Sequence, residues 1–241
     1  ERRPGEALTL TERRLADAPH LGSLDAAGIG RLMTREDRTA AQAVAAAMPA
    51  LAQVVERAAG AIRTGGRIIY MGAGTSGRLG VLDASECPPT FGVDPERVVG
   101  LIAGGDRALR ESIEAAEDSQ EHGRAGLEAL APPLNTLDIV VGIAASGTTP
   151  YVHGALAFAQ ERGACAVLLT CNPAAQCPGA AVIALATGPE ALPGSTRLKA
   201  GTATKMALNI ISTGAMALAG YVFEGLMVRV APVNAKLRKR A

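Results

Sequence analysis

Five short apolar runs, rich in Val and Ile and each closed by a polar or small residue, constrain the fold of this chain most. The runs are Arg67–Met71, Val98–Ala103, Asp138–Ala144, Cys165–Thr170 and Ala181–Leu185. Continuous apolar runs of this length are typical of strands buried on both faces of a parallel sheet. Alanine-rich stretches with helical spacing alternate with them, which predicts right-handed βαβ units. The chain is therefore predicted to be α/β, an open, doubly wound, mainly parallel five-stranded sheet with helices on both faces, as in flavodoxin-like folds.

The stretches between the runs predict the helices and the division of the chain. Helices are expected over Glu36–Gly60, Ala108–Leu130, Pro150–Arg162 with Gly163 as its C-terminal cap, and Lys199–Gly220. The first thirty-odd residues are charged and show no regular pattern. Residues 1–35 are therefore predicted to be an irregular arm that wraps a partner subunit, and residues 36–241 a single domain.

Two turns rich in Gly, Ser and Thr follow the first and third apolar runs. The first spans residues 72–77 and opens a helix, and the second spans residues 144–149. A helix N-terminus presents free amides and a positive dipole end to an anion. Ligands of such sheets bind at the carboxyl ends of the strands, where both turns fall. The pair of turns predicts a site for a phosphate-bearing small molecule.

The first turn also matches the dinucleotide pattern G-x-G-x-x-G. That interpretation needs an acidic residue at the end of the next strand. The next apolar run ends instead in Gly104-Gly105, with Asp106 only beyond it. No G-x-x-x-x-G-K-[ST] pattern is present either, so neither common nucleotide site is favoured.

Composition excludes several classes of function. The net charge is +1 and aromatic residues make up 2% of the chain, so neither nucleic acid nor a membrane is an expected partner. The 4 Cys and 3 His residues lack the spacing of a zinc site, so no metal is expected. No signal peptide or long apolar segment is visible, and the chain is expected to be cytoplasmic with reduced thiols.

Two regions carry carboxylates close to the glycine-rich turns. Glu86 directly precedes Cys87-Pro88-Pro89, where the helix is predicted to break at a rigid corner. Farther on, one predicted helix is crowded with acidic residues: Glu111, Glu114, Glu117, Asp118 and Glu121. Glu114 and Glu117 would share a helix face, three residues apart. Spacing alone does not choose between them.

Several long motifs resemble the N-acetylmuramic acid 6-phosphate etherase family, whose members contain a sugar isomerase (SIS) domain. The motifs are Glu12-Arg13-Arg14, the first turn with D-A-S-E-C-P-P-T-F-G, G-L-I-A-G-G, E-A-A-E-D-S, V-V-G-I-A-A-S-G-T-T-P-Y-V and G-S-T-R-L-K-A-G-T. The resemblance runs from about Leu10 to about Lys236. It implies a homodimeric lyase of peptidoglycan recycling. N-acetylmuramic acid 6-phosphate is the implied substrate, and N-acetylglucosamine 6-phosphate and D-lactate are the products.

The resemblance also implies a mechanism of elimination followed by hydration. A base removes the C2 proton of the opened sugar, an acid protonates the departing lactyl oxygen at C3, and water then adds to the double bond. Two carboxyl groups in opposite protonation states meet this demand without metal or cofactor. Matched by motif, Glu86 is the acid and Glu117 is the base. The acid needs a pKa raised by burial above the usual value for Glu.

A set of residues around the turns is implied to bind the substrate: Thr75, Ser76, Gly77, Ala145, Ser146, Gly147 and Thr149, with Ser195, Thr196, Arg197 and Lys199 as a further wall. The Ser and Thr members would offer hydroxyls, and the backbone of Ala145 and Gly147 would offer amides. The alternative is that the turn residues are ordinary helix caps. Arg197 and Lys199 are alternatively surface charges.

The chain departs from the family pattern at several positions. Thr148 stands where Arg is expected, and Leu192-Pro193 stands where a smaller Thr or Ser is usual. Arg229 replaces a typical Asp, and Pro232-Val233 replace Ala-Thr. The small helical C-terminal domain of many members is expected to be absent.

Two alternative functions use the same fold. A non-catalytic sugar-phosphate sensor resembling glucokinase regulatory protein needs the phosphate turns but no acid–base pair. An aldose–ketose sugar-phosphate isomerase removes the C2 proton but expels no group from C3. The presence of both Glu86 and Glu117 favours the etherase.

Overall fold

The computed structural model describes residues 10–16 and 18–228. The strands are β1 Ile68–Gly72, β2 Val98–Ile102, β3 Ile139–Ile143, β4 Cys165–Thr170, β5 Ala181–Ala184, β6 Val222–Phe223 and β7 Leu226–Met227. The α-helices are α1 Ala26–Ala46, α2 Met48–Thr64, α3 Gly74–Phe91, α4 Gln120–Glu128, α5 Pro150–Glu161 and α6 Lys199–Leu218. Each of the five apolar runs forms a strand, so the strand predictions are confirmed.

The main sheet has five strands in the order β2-β1-β3-β4-β5, and all its neighbouring pairs are parallel. The chain winds from β1 outward to β2, then returns to β3 and continues the other way to β5. This strand order is the flavodoxin-like one, and the winding direction reverses between β1 and β3. The carboxyl ends of these two adjacent strands therefore form the crevice where ligands of such sheets bind.

The sheet separates two apolar cores, which confirms helices on both faces. Side chains of a strand alternate between faces, so Ile68 and Tyr70 pack with α1, α2, α3 and α6, whereas Ile69 and Met71 pack with α4 and α5. In the part of the chain that the structure describes, no helix is long and apolar enough to span a membrane.

Glycines allow α3 to begin directly against β1. A Cβ at Gly77 would lie 2.6 Å from the carbonyl oxygen of Gly72 and 2.6 Å from Cγ1 of Ile102. A Cβ at Gly80 would lie 2.9 Å from Cβ of Tyr70. All three contacts are too short for a side chain, so the close helix–strand packing that forms the first turn depends on these glycines.

The N-terminal helices differ from the prediction. The Asp25 side chain accepts a hydrogen bond from the Gly28 amide and caps α1, so residues 26–35 of the predicted irregular arm are helical. The predicted helix Glu36–Gly60 is two helices, because Pro49 lies in the first turn of α2 and cannot continue α1. Residues 1–9 and 17 of the arm lie outside the described residues, and the division at residue 35 stays a prediction.

The helix predicted over Ala108–Leu130 is also wrong in extent. Only Gln120–Glu128 is α-helical, and it begins where the Ser119 side chain accepts the His122 amide hydrogen. Residues 110–119 form turns, with Ala115 at a φ of 56°. Glu117 and its acidic neighbours therefore lie on a loop, and the argument from a shared helix face does not apply to them.

The predicted break at Cys87-Pro88-Pro89 does not occur. Helix α3 continues through both prolines to Phe91 and ends at Gly92, which has a φ of 64°. The prolines lie in the last turns, where the loss of two amide donors ends the helix soon afterwards rather than at once. Glu86 consequently lies on a helix surface and not at a corner.

Candidate active site

The first glycine-rich turn presents unused amides at the start of α3. Ala73 precedes the helix, no side chain caps this end, and the first helical hydrogen bond runs from the Gly77 amide to the Ala73 carbonyl over 3.2 Å. The amides of Gly74, Thr75 and Ser76 precede that bond and lie at the crevice. Such a terminus attracts an anion. The Gly77 amide is used within the helix, so Gly77 shapes the turn instead of offering a donor.

The second turn is held from several sides. The Ala145 carbonyl accepts the Cys171 amide at 3.1 Å, and the Asn172 amide group donates to the Ser146 carbonyl at 2.9 Å. The Gly147 carbonyl bonds Nε2 of His153 at 2.8 Å. These contacts fix the turn to the end of β4 and to α5, which gives it the rigidity of a binding loop.

Donors of the second turn differ in their availability. The Gly147 amide donates to the Ala144 carbonyl at 2.9 Å and is therefore occupied. The Ser146 hydroxyl accepts hydrogen bonds from both the amide and the hydroxyl of Thr148, each at 3.2 Å. The Ser146 hydrogen remains to be donated outward.

Both turns line one cavity of about 280 Å³. Its lining is Thr11, Glu12, Ala73, Gly74, Thr75, Ser76, Glu117, Ile143, Ala144, Ala145, Ser146, Thr149, Gly194 and Thr196. Six of these residues carry hydroxyl groups and two carry carboxylates, and none of the described lining residues is Lys or Arg. An anion bound here is held by neutral donors and by the α3 dipole.

Hydrogen bonds to three backbone carbonyls hold the loop that contains Glu117 beside this cavity. The Glu117 carbonyl accepts the Tyr151 amide at 3.0 Å, at the start of α5. Arg78, on α3, donates to the carbonyls of Leu109 and Glu111 at 3.2 and 2.8 Å and so ties the acidic loop to the first turn. Glu114 lines only a neighbouring cavity of about 200 Å³, which Glu117 also borders. The geometry thus separates the two glutamates that spacing left equivalent.

Glu86 lies in a different place on the same chain. It is ten residues beyond Ser76 on α3, about 15 Å along the helix axis. Its exposed side chain borders a groove of about 270 Å³ between α3 and α6, beside Leu82, which is 49% exposed. Asp83 on this surface accepts hydrogen bonds from Asn209 and Ser212 of α6 at 2.6 and 3.2 Å. One chain alone therefore does not bring Glu86 and Glu117 into one cavity.

Only one of the four residues predicted to form a further wall of the site lines the cavity. Thr196 lines the cavity, whereas Ser195 is half-buried outside the lining and Arg197 is exposed. Lys199 is buried and forms an ion pair with Glu36 over 2.7 Å. Glu190 accepts the amides of Lys199 and Ala200 at the start of α6, so these two amides are not available to an anion. Burial raises the pKa of Glu190.

The cavity also contains residues from the predicted arm. Thr11 and Glu12 reach it because the Gly194 amide donates to the Thr11 carbonyl at 3.0 Å. No local pattern in the sequence predicts that Thr11 and Glu12 line the cavity, because both lie far from the turns along the chain. Glu12 does belong to one of the motifs that resemble the family. Within residues 10–16 and 18–228, no group of three His, Cys, Asp or Glu side chains is arranged to hold a metal ion. Arg229, Pro232 and Val233 lie outside the described residues.

Comparison with known proteins identifies the fold and the family. Residues 50–160 match the model of the glucokinase regulatory protein N-terminal SIS domain. A protein of E. coli CFT073 superposes on 84% of this chain and 97% of its own with a TM-score of 0.57 and 13% identity. A phosphoheptose isomerase from Francisella tularensis superposes on 80% of this chain and 98% of its own, with a TM-score of 0.56 and 16% identity. These neighbours share the fold.

Sequence relatives are much closer. The N-acetylmuramic acid 6-phosphate etherase of Gloeobacter violaceus is 53% identical over 243 residues, which cover 100% of this chain and 79% of the relative. The etherase of Klebsiella aerogenes is 48% identical over 233 residues, covering 96% of this chain and 77% of the relative. Identity of this level over most of both proteins shows the family. The chain belongs to the N-acetylmuramic acid 6-phosphate etherase family.

Proposed function

We propose that this protein cleaves the D-lactyl ether of N-acetylmuramic acid 6-phosphate to give N-acetylglucosamine 6-phosphate and D-lactate. One observation carries the proposal: the Glu117 carboxylate and the hydroxyl-rich ends of β1 and β3 line the same cavity. The two relatives described above bear the name of this activity. A phosphate site next to a carboxylate is what proton abstraction from a phosphorylated sugar requires.

The phosphate is proposed to bind at the start of α3. The amides of Gly74, Thr75 and Ser76 are the free donors there, and the hydroxyls of Ser146 and Thr149 approach from the second turn. Two amides of the α6 terminus already bond the Glu190 carboxylate, so this terminus is a weaker site for the anion than the uncapped start of α3. Fixing the phosphate in this way orients the rest of the sugar toward the acidic loop.

Glu117 is proposed to act as the base. It would take the C2 proton, which is acidic because the neighbouring C1 aldehyde of the opened sugar stabilises the resulting enolate. The enolate then expels the lactyl oxygen from C3, and the proton that this oxygen gains comes from the acid. Water adds across the C2–C3 double bond and restores the sugar without the lactyl group. No step needs a change of oxidation state.

Glu86 is proposed to be the acid, and this role requires a homodimer. Within its own chain Glu86 lies about 15 Å along α3 from the phosphate turn, and its side chain is exposed. The α3–α6 groove around it has an apolar rim with the exposed Leu82. A second chain packed on this groove would bury Glu86 and bring it to the neighbouring cavity, which meets the need for a proton donor removed from water.

We propose that the reaction takes place in the cytoplasm. The four cysteines are free thiols. Burial raises the pKa of Cys87 to about 12 and that of Cys171 to about 11, which disfavours the thiolate form of both. Free thiols are the usual state in a reducing compartment.

The first experiment measures D-lactate release from N-acetylmuramic acid 6-phosphate and deuterium exchange at C2 of N-acetylglucosamine 6-phosphate. The parent enzyme is expected to show both reactions. Glu117→Gln is expected to lose both by about 100-fold or more, because the base acts in each. Glu86→Gln is expected to lose lactate release but to keep exchange at C2, because exchange expels no group from C3.

Glu114→Gln is the matched control, since Glu114 lies on the same loop but outside this cavity. It is expected to keep both rates within about threefold. If the parent binds the sugar phosphate without releasing D-lactate, the proposal is wrong and a sensor like glucokinase regulatory protein becomes the better assignment. Conversion of an aldose phosphate to a ketose phosphate would instead identify an isomerase.

A further inference from the structure

We infer that Glu12 contacts the sugar and selects a phosphorylated sugar over other phosphates by accepting hydrogen bonds from its hydroxyl groups. This inference rests on the proposed binding of a sugar phosphate in the cavity that contains Glu117. It assigns a task to the N-terminal segment, which the proposed chemistry does not use.

Contacts with the loop before α6 fix the position of Glu12. The Gly194 amide donates to the Thr11 carbonyl at 3.0 Å and docks the segment. A Cβ at Gly194 would lie 2.8 Å from one carboxylate oxygen of Glu12 and 3.2 Å from the other, and Gly194 has a φ of 79°. A glycine is therefore required here both by the backbone and by the space that the Glu12 carboxylate occupies. The carboxylate packs against this glycine at the cavity wall.

Charge decides which part of a ligand Glu12 faces. No Lys or Arg is among the described residues that line the cavity, and within residues 10–16 and 18–228 Glu12 has no ion-pair partner. A phosphate beside Glu12 would be repelled, so the phosphate binds at the α3 amides and the polyhydroxyl part of the ligand faces the carboxylate. A carboxylate accepts several hydrogen bonds and donates none when ionised, which matches a set of sugar hydroxyl groups.

The expected preference for a sugar phosphate over inorganic phosphate follows from the strength of hydrogen bonds to a charged acceptor. Removing such an acceptor leaves ligand hydroxyl groups without their partner and weakens binding by about 10- to 100-fold. Inorganic phosphate carries no carbon-bound hydroxyl groups and gains nothing from Glu12. The ratio of the two affinities therefore reports on Glu12 separately from the phosphate turns.

The test is calorimetric titration of the full chain with N-acetylglucosamine 6-phosphate and, separately, with inorganic phosphate. Glu12→Ala is expected to weaken binding of the sugar phosphate by about 10- to 100-fold and to leave inorganic phosphate within about twofold. Glu12→Gln keeps the side-chain length and one acceptor oxygen, so its expected loss is smaller, about 3- to 10-fold. Glu96→Gln, an exposed carboxylate at the opposite edge of the sheet, is the control and is expected to change neither affinity.

Equal affinity of Glu12→Ala and the parent for the sugar phosphate, with an unchanged melting temperature, would overturn the inference. A parallel loss for sugar phosphate and inorganic phosphate would also overturn it, because that result marks a structural role for the segment. The D-lactate assay separates the two proposals. A parent that releases no D-lactate, with the selective loss in Glu12→Ala preserved, refutes the etherase and leaves the role of Glu12 standing.

Discussion

At the residue scale, the end of the cavity where we propose that phosphate binds is made of neutral donors. Ser76 combines an amide before the first helical hydrogen bond of α3 with a hydroxyl that lines the cavity. Ser146 contributes a hydroxyl whose acceptor sites are already used by Thr148. Thr148, where the family resemblance predicts Arg, lies outside the cavity lining. Each remaining hydroxyl should therefore carry a measurable share of the phosphate affinity.

Ser76→Ala is expected to weaken binding of inorganic phosphate and of N-acetylglucosamine 6-phosphate by a similar factor. The loss of one hydrogen bond to a charged ligand predicts about 10-fold or more. Ser85→Ala is the control on the same helix, because the Ser85 hydroxyl donates to the Leu82 carbonyl at 2.9 Å on the exposed surface. Equal affinities of Ser76→Ala and Ser85→Ala in titration calorimetry would show that Ser76 does not touch the phosphate.

At the element scale, buried charges join α1 to the start of α6. The Lys199 ammonium donates to the Glu36 carboxylate at 2.7 Å, and both side chains are buried. Burial by itself would raise the pKa of Glu36, but hydrogen bonds and the positive charges of Lys199 and Arg35 outweigh it and hold this pKa below its usual value of 4.5. Because α6 begins just after the loop that contains Gly194 and Thr196, this ion pair stabilises the part of the cavity wall formed by that loop.

Glu36→Gln is expected to lower the free energy of unfolding at neutral pH by about 3–5 kcal/mol, because it leaves the buried Lys199 ammonium without its ion-pair partner. A depressed pKa contributes stability that is present above the unfolded value and lost as the pH falls through the folded one. The difference between the parent and Glu36→Gln should therefore shrink below a pH of about 4.5. Urea unfolding of both proteins over a series of pH values measures this difference in the free energy of unfolding.

Glu56→Gln, on the exposed face of α2, is the control for that series and should stay within about 0.5 kcal/mol of the parent at every pH. A Glu36→Gln variant that is equally destabilised at all pH values would contradict the ionic origin of the contribution. The lost packing of the carboxylate would then be the cause.

At the scale of the whole molecule, the proposed mechanism depends on a homodimer, because Glu86 and Glu117 of one chain do not share a cavity. Each proposed site takes its base from one chain and its acid from the other. In a dimer of this kind, two chains with different inactivating substitutions can form one intact site. The same mixture is inactive when each chain contains a complete site of its own.

Mixing Glu86→Gln with Glu117→Gln chains, after exchange of subunits, is expected to restore about a quarter of the parent rate of D-lactate release. Half of the dimers are then mixed, and each mixed dimer has one intact and one doubly substituted site. Glu86→Gln mixed with itself is the control and should stay inactive. No restoration, with mixed dimers confirmed by mass spectrometry, would contradict the shared site.

Predictions from sequence succeeded where local pattern and burial agree. The five apolar runs form β1 to β5, since Val- and Ile-rich runs of this length favour strands that are buried on both faces. The prediction of a helix around Glu117 was wrong. The Ser119 side chain caps α4, so the helix begins only after Ser119 and Glu117 lies before its start. The sequence did not predict the buried ion pair of Lys199 with Glu36, since the two residues lie far apart along the chain.

The sequence by itself determined the parallel sheet, its glycine-rich turns and the family, since these depend on local pattern and on contiguous motifs. Only the tertiary structure decided which side chains meet. It placed Glu12 and Glu117 in the cavity of the turns, and it placed Glu86 on the α3–α6 groove. Such placements depend on the register of strands and on the docking of distant segments, which nearest-neighbour patterns do not encode. The meeting of the two glycine-rich turns follows from the strand order, because β1 and β3 are parallel neighbours and their carboxyl ends lie side by side.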